Sequence, residues 1–231
     1  MTARPVPRSA EPSVMYAVMT AEPLESEDLI PPPSPQLLRR YGTSDAAIRR
    51  LRSRRNQLLV MRRSSLDDAA RTQLSTRVEA LRRAEAHDGV VIDLMIPRVV
   101  EQRSDEVSLE HATQWYVVDY AELEAGLLTT VGLTSFGLPE VEVEQVDQQG
   151  HAMFSAVLAG LVHRLIAEWP ANDPVGTATI TLRDIAYGLG DPGAAQTPGN
   201  RSVDVAIEYD ADRQRLVVRV IGDPATTLFA P

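Results

Sequence analysis

The stretch between Asp147 and Pro170 constrains this chain more than any other. Phe154, Val157, Leu158, Leu161, Leu165 and the body of Trp169 recur at helical spacing, and Pro170 ends the run. Asp147 is placed to cap the helix. A second stripe, Ala152, Ala156, Ala159, Gly160, His163 and Ala167, is made mostly of small residues. Small side chains let another backbone come close. The spacing therefore predicts a helix over about 148–169 that is buried on two sides. One side meets a sheet; the other meets a second helix of the chain or a dimer mate.

The rest of the chain is organised around runs of β-branched and aromatic residues. A second main helix is predicted over about 65–86, from Leu66, Ala70, Leu74, Val78 and Leu81, with Ser64 and Ser65 before it and His87-Asp88-Gly89 stopping it. A helical turn is expected at 36–41. A short helix starts at Ser44, with Ala47, Ile48 and Leu51 on one side and Arg on the others. Strands are predicted at 13–20, 57–61, 90–94, 115–120, 127–133, 141–146, 176–182, 203–209 and 215–221. Val99 and Val100 read as an edge or turn, and 210–214 as a hairpin turn. The alternation in 141–146 gives that strand one wet face and favours antiparallel pairing. Paired strands with irregularly placed helices give an α+β fold, a largely antiparallel sheet packed by the two main helices. No shift in composition marks a boundary. The expectation is a loose tail over 1–12, one domain over 13–222 and a C-terminal tail over 223–231. Residues 22–35, acidic and then proline-rich, read as an extended connector.

Composition removes whole classes of chemistry. The 231 residues include no Cys, which excludes disulfides, thiolate metal sites and a Cys nucleophile. All 23 basic residues are Arg, so there is no Schiff-base or Walker-A lysine. A GC-rich genome that favours Arg codons accounts for this; selection against lysine-directed tagging is the sharper reading. No apolar run approaches the roughly 18 residues of a membrane span. The start carries Arg4 and Arg8 with no apolar core, unlike a secretory signal. The expectation is a soluble, cytoplasmic protein that does not associate with membranes.

Motifs with a mechanism mostly fail on context. Gly188, Gly190 and Gly193 match G-x-G-x-x-G, but the residues before them look helical and Pro198-Gly199 follows closely, so this is a loop. Gly132 and Gly137 have P-loop spacing, but Leu138-Pro139 stand where Lys and Ser/Thr are required. His87, His111, His151 and His163 make no H-E-x-x-H or i, i+4 pair, so no metal site is expected, and no cofactor. There is no G-x-S-x-G elbow. Glu140, Glu142 and Glu144 share one face of the alternating strand. A carboxylate row of this kind serves acid–base work or forms the solvated face of a sheet, and the second is expected here.

Charge is segregated although the chain is acidic overall, at a net −9. Between residues 39 and 83 there are 13 Arg against Asp45, Asp67, Asp68 and Glu79. Arg49, Arg50, Arg52, Arg54 and Arg55 fall within seven residues, and Arg62 and Arg63 follow. Such a segment is a footprint for an acidic protein or a polyanion, or it is a solvated face paired with the protein's own acids. Tyr41 is the nearest aromatic, which leaves little for base stacking.

Residues 130–140, TVGLTSFGLPE, form the most distinctive segment. Thr130, Gly132, Leu133, Phe136, Gly137, Pro139 and Glu140 follow the pattern T-x-G-[LM]-x-x-F-G-x-P-E, with a strand and a long helix after it and a strand with Trp115 before it. The segment resembles one found in families of uncharacterised bacterial domains, and the likeness extends over about 89–182. It implies membership and carries no catalytic residue. Physically, the two glycines allow backbone conformations closed to other residues, Phe136 anchors the turn, and Pro139 keeps Leu138 extended.

The function expected from these observations is a non-catalytic protein–protein interaction module, with homodimerisation as one form of partnership. The alternatives are a hydrolase-like enzyme using Thr129, Thr130, Glu140 or a His in a cleft, and RNA or polyanion binding through residues 49–63.

Overall fold

The computed structural model describes residues 5–8, 11–23, 30–146 and 150–229. The fold is α+β. In place of one domain over 13–222, the chain divides into two compact units, Glu11–Val107 and Met1–Ala10 with Ser108–Pro231. Each unit has its own sheet and core.

The unit Glu11–Val107 runs β1 (Ser13–Thr20), α1 (Pro35–Arg40), α2 (Asp45–Arg52), β2 (Asn56–Arg63), α3 (Ala69–Ala86), β3 (Val90–Asp93) and β4 (Arg98–Val100). The strands form an antiparallel sheet in the order β2-β1-β3-β4. β1 carries apolar side chains on both faces. Val14, Tyr16 and Val18 pack with Ala80, Leu81 and Ala84 of α3. Ala17 and Met19, on the opposite face, join Leu38 of α1 and Ala47, Ile48 and Leu51 of α2. The sheet is therefore covered on both sides. Local capping agrees with the packing: Ser34 and Ser44 accept the N–H groups of Leu37 and Ala47 at the starts of α1 and α2.

One buried polar cluster crosses this core. The Asp93 carboxylate accepts the N–H groups of Met95 and Ile96 at 3.0 and 3.1 Å and thereby shapes the turn between β3 and β4. Its other oxygen lies 3.4 Å from the guanidinium of Arg77, which is fully buried and sits 5.8 Å from the ring centre of Tyr16. Burial raises the Asp93 carboxyl against the pull of Arg77 and Arg98. Burial, followed by Arg77, lowers Arg98 to about 10.

The other unit runs β5 (Val117–Asp119), β6 (Leu128–Val131), β7 (Glu140–Val143), α4 (His151–Glu168), β8 (Gly176–Thr181), α5 (Leu182–Leu189), β9 (Ser202–Asp210), β10 (Arg215–Ile221) and α6 (Pro224–Phe229). The six strands are ordered β5-β6-β7-β10-β9-β8. The antiparallel expectation for β7 holds toward β6 only, since β7 pairs in parallel with β10, Glu140 opposite Arg215. The carboxylate row on β7 is also not a solvated face. Glu142 is 1% exposed, engaged by Arg213 and, at 2.6 Å, by Arg215. Glu144 meets Arg219 at 2.8 Å.

Some of the described residues in the stretches read as tails are packed. Val6 is buried and its N–H donates to Asp173 at 2.9 Å, with Arg8 over the ring of Trp169. Residues 224–229 form α6, in which Leu228 is buried. Asp147, read as a helix cap, lies outside the described residues, as do 24–29 of the proline-rich connector. The helix itself begins at His151.

The small-residue face of α4 receives α5, the intrachain alternative. A Cβ on Gly160 would lie 2.8 Å from Ile180 Cγ2 and 2.9 Å from the backbone nitrogen of Ile185. A Cβ on Gly188 would overlap the carbonyl of Ala159. The two backbones touch because neither glycine has a side chain. Gly190 then ends α5 as its left-handed cap, so the G-x-G-x-x-G match closes a helix where a dinucleotide site would open one. Gly188→Ala should cost about 2–4 kcal/mol in urea unfolding, because backbone must move to admit the methyl. Gly199→Ala, whose Cβ would meet nothing nearer than 3.7 Å, should stay within about 0.5 kcal/mol. Equal effects of the two would contradict this packing.

Candidate functional site

Residues 130–140 link β6 to β7 through a 3-10 turn, Leu133–Phe136. Gly132 and Gly137 flank that turn with φ of 131° and 72°, which side chains rarely allow. Leu133, Phe136 and Leu138 are buried, and Phe136 meets Trp115 edge-on with ring centres 5.7 Å apart. Glu140 closes the loop. One of its oxygens accepts the N–H of Gly132 at 2.8 Å and of Thr134 at 3.3 Å; the other accepts the Thr130 hydroxyl at 2.6 Å. The Thr130 oxygen in turn accepts the N–H of Val141 at 2.8 Å.

Thr130 and Glu140 thus converge as the hydrolase reading asked, but in a closed arrangement. Thr130 is fully buried, and both Glu140 oxygens hold the turn. The four histidines have other contacts. His163 donates from Nδ1 to the Glu110 carbonyl at 3.0 Å and stacks on Tyr187. His111 accepts from Gln114 at 3.0 Å, and His151 meets Tyr120 edge-on. His87 is the exposed C-cap of α3. Among the described residues, no group of three or more His, Asp or Glu side chains is arranged to hold a metal ion, and no helix is long and apolar enough to cross a membrane.

The Arg-rich segment separates into engaged and free cations. Arg50 donates to Asp88 at 2.9 Å and to the Gly89 carbonyl at 3.1 Å. Arg54 holds the same Asp88 carboxylate and the Asp88 carbonyl. Arg62 pairs with Glu79 at 2.6 Å. Arg49, Arg52, Arg55 and Arg63 are exposed and have no ion pair among the described residues.

Helical geometry explains the division in α2. Ala47, Ile48 and Leu51 face the core, which leaves Asp45, Arg49 and Arg52 along the outer face at i, i+4 and i+7. Asp45 receives Arg39 at 2.8 Å. That hydrogen bond holds its carboxyl below the usual range, and Arg49 and Arg52 add to the effect. Arg40 lies over Tyr41, 5.7 Å from the ring centre.

Beside α2, in the same unit, lies an open cavity of about 440 Å³ lined by Arg50, Glu85, Asp88, Glu101, Gln102 and Arg103. Its residues come from separate elements at no recognisable spacing, so the sequence carried no signal for it. Comparisons with protein-family models, curated proteins and solved structures find no match for this chain.

Glu140 makes a testable prediction for the role of the 130–140 loop. Burial holds its carboxyl above the usual carboxylate range, against the donors from Thr130, Gly132, Leu133 and Thr134. A carboxyl raised in the folded state keeps its stabilising contribution below the unfolded value of about 4.3 and loses it as pH rises through the folded value. Glu140→Gln cannot ionise. The stability advantage of the wild-type protein over this variant should therefore fall above about pH 4.3, by up to about 1.4 kcal/mol per pH unit. Urea unfolding across that range checks it, and a difference independent of pH would contradict it.

Proposed function

We propose that this protein is a non-catalytic interaction module whose unit Glu11–Val107 binds an acidic protein surface through the outer face of α2 and Arg55 in the loop after it. The observation that carries this reading is the set of exposed guanidiniums at Arg49, Arg52 and Arg55. Their neighbours Arg50 and Arg54 already have Asp88 as a partner. Pairs of this kind contribute about 0.5 kcal/mol each when exposed, so the contact is weak, fast and salt-sensitive.

An acidic protein patch fits better than a nucleic acid. Tyr41, the aromatic nearest the segment, has Arg40 over its ring. The unit balances 15 Arg with 15 acids, while the other unit holds 8 Arg and 17 acids and would repel an extended polyanion. The enzymatic reading has no comparable support, since Glu140 is occupied by its own loop. The likeness of residues 130–140 to uncharacterised bacterial domains adds no activity to the proposal.

A fluorescein-labelled oligoglutamate tests the reading by anisotropy at low salt. Arg49→Ala/Arg52→Ala/Arg55→Ala should weaken its binding roughly tenfold, and added salt should weaken the wild-type protein toward the variant. Equal affinity of variant and wild type would overturn the proposal. So would tighter binding of a single-stranded oligonucleotide of matched charge.

A further inference from the structure

A second cavity, of about 300 Å³, lies in the other unit between the C-terminal part of α4 and the edge strand β8. Leu161, Leu165 and Trp169 contribute to the apolar part of its lining, beside Arg164, Glu168, Asn172 and Asp173. Its charged residues are already compensated. Arg164 donates to Glu168 at 2.7 Å and to the Thr179 carbonyl at 2.8 Å. Asp173 accepts the N–H groups of Val6 and Val175 at 2.9 and 3.0 Å. The walls therefore offer little to an ion. The indole N–H of Trp169 is buried with no acceptor among the described residues.

The register of β8 shows which backbone groups remain available. Leu182 donates to the Arg201 carbonyl in the continuation of the β8–β9 ladder, and Thr181 is opposite Ser202. Residues 176, 178 and 180 therefore bond to β9, and 177, 179 and 181 turn their backbone groups outward. The Thr179 carbonyl is taken by Arg164, and the Thr181 N–H by Asp184 at 2.8 Å. On the other side, the Val175 N–H is taken by Asp173. These blocks bar a long added strand. They leave the N–H and C=O of Thr177 side by side at the mouth of the cavity.

We infer that this cavity binds a small neutral ligand bearing an amide, its apolar group against Leu165 and the Trp169 ring and its amide paired with the Thr177 backbone. An amide presents one donor and one acceptor together, as a single residue of an added strand would.

The chain has 2 Trp, so its indole N–H groups give two resonances in a ¹H–¹⁵N spectrum. Trp115 donates to the Ser108 carbonyl, and Trp169→Phe assigns the other signal by its loss. Titration of the full chain with N-acetyl-phenylalaninamide should move the Trp169 resonance and leave that of Trp115 in place. Thr177→Pro removes an outward N–H and leaves the ladder to β9 intact, and should weaken binding about tenfold. N-acetyl-phenylalanine, which is anionic, and toluene, which has no amide, should bind at least tenfold more weakly, a comparison that needs no variant. No shift at millimolar amide, or equal binding of toluene or the anion, would overturn the inference. Tighter binding by a capped extended hexapeptide would also overturn it, in favour of a strand-addition site.

Discussion

Strand β1 is apolar on both faces, and the unit around it follows from that. Tyr16 and Val18 need a layer on one side, and Ala17 and Met19 need one on the other. α3 supplies the first, and α1 with α2 the second. Fixing Ile48 and Leu51 inward also fixes what α2 shows outside, because a helix has no freedom to bury one face without presenting the other. The outward cations are thus a consequence of core packing. Burial of an Ile or Leu side chain contributes about 1.5–3 kcal/mol, far more than an exposed ion pair, so the core sets the orientation.

The other unit is ordered by two devices that avoid ions at the surface altogether. One is the contact of α4 with α5, where missing side chains at Gly160 and Gly188 bring the backbones together. The other is the Glu140 carboxylate, which organises the turn before its own strand by accepting N–H groups from it. A buried carboxylate used in this way resembles a catalytic residue in burial and in raised proton affinity. The occupancy of its oxygens tells the two apart.

Elements set by local chemistry were legible in the sequence. β1 occupies the predicted residues, the helix expected to start at Ser44 begins one residue on with Ser44 as its cap, and the two stripes on α4 announced a second backbone beside it. What escaped was set at long range. β7 and β10 lie some seventy residues apart and pair in parallel, a relation with no local pattern. The division into two units follows the contacts of the folded chain; its one trace in composition, 15 of the 23 Arg within Glu11–Val107, reads in the sequence as charge segregation within a single domain. The stretch that begins at Gly188 reads as a loop, whereas Gly188 lies inside α5 at its contact with α4 and Gly190 is the cap. For the Arg segment the sequence counted cations, but it could not tell that Asp88, more than thirty residues away, consumes Arg50 and Arg54.

We propose the outer face of α2, with Arg55 just beyond its end, as the part of this protein that meets a partner. The most direct measurement follows the side-chain Nε–H resonances of the arginines in an ¹⁵N-labelled full chain while oligoglutamate is added. The resonances of Arg49, Arg52 and Arg55 should move, and those of Arg54 and Arg62, already held by Asp88 and Glu79, should not. Uniform small shifts at all five, or movement confined to arginines of the other unit, would contradict it.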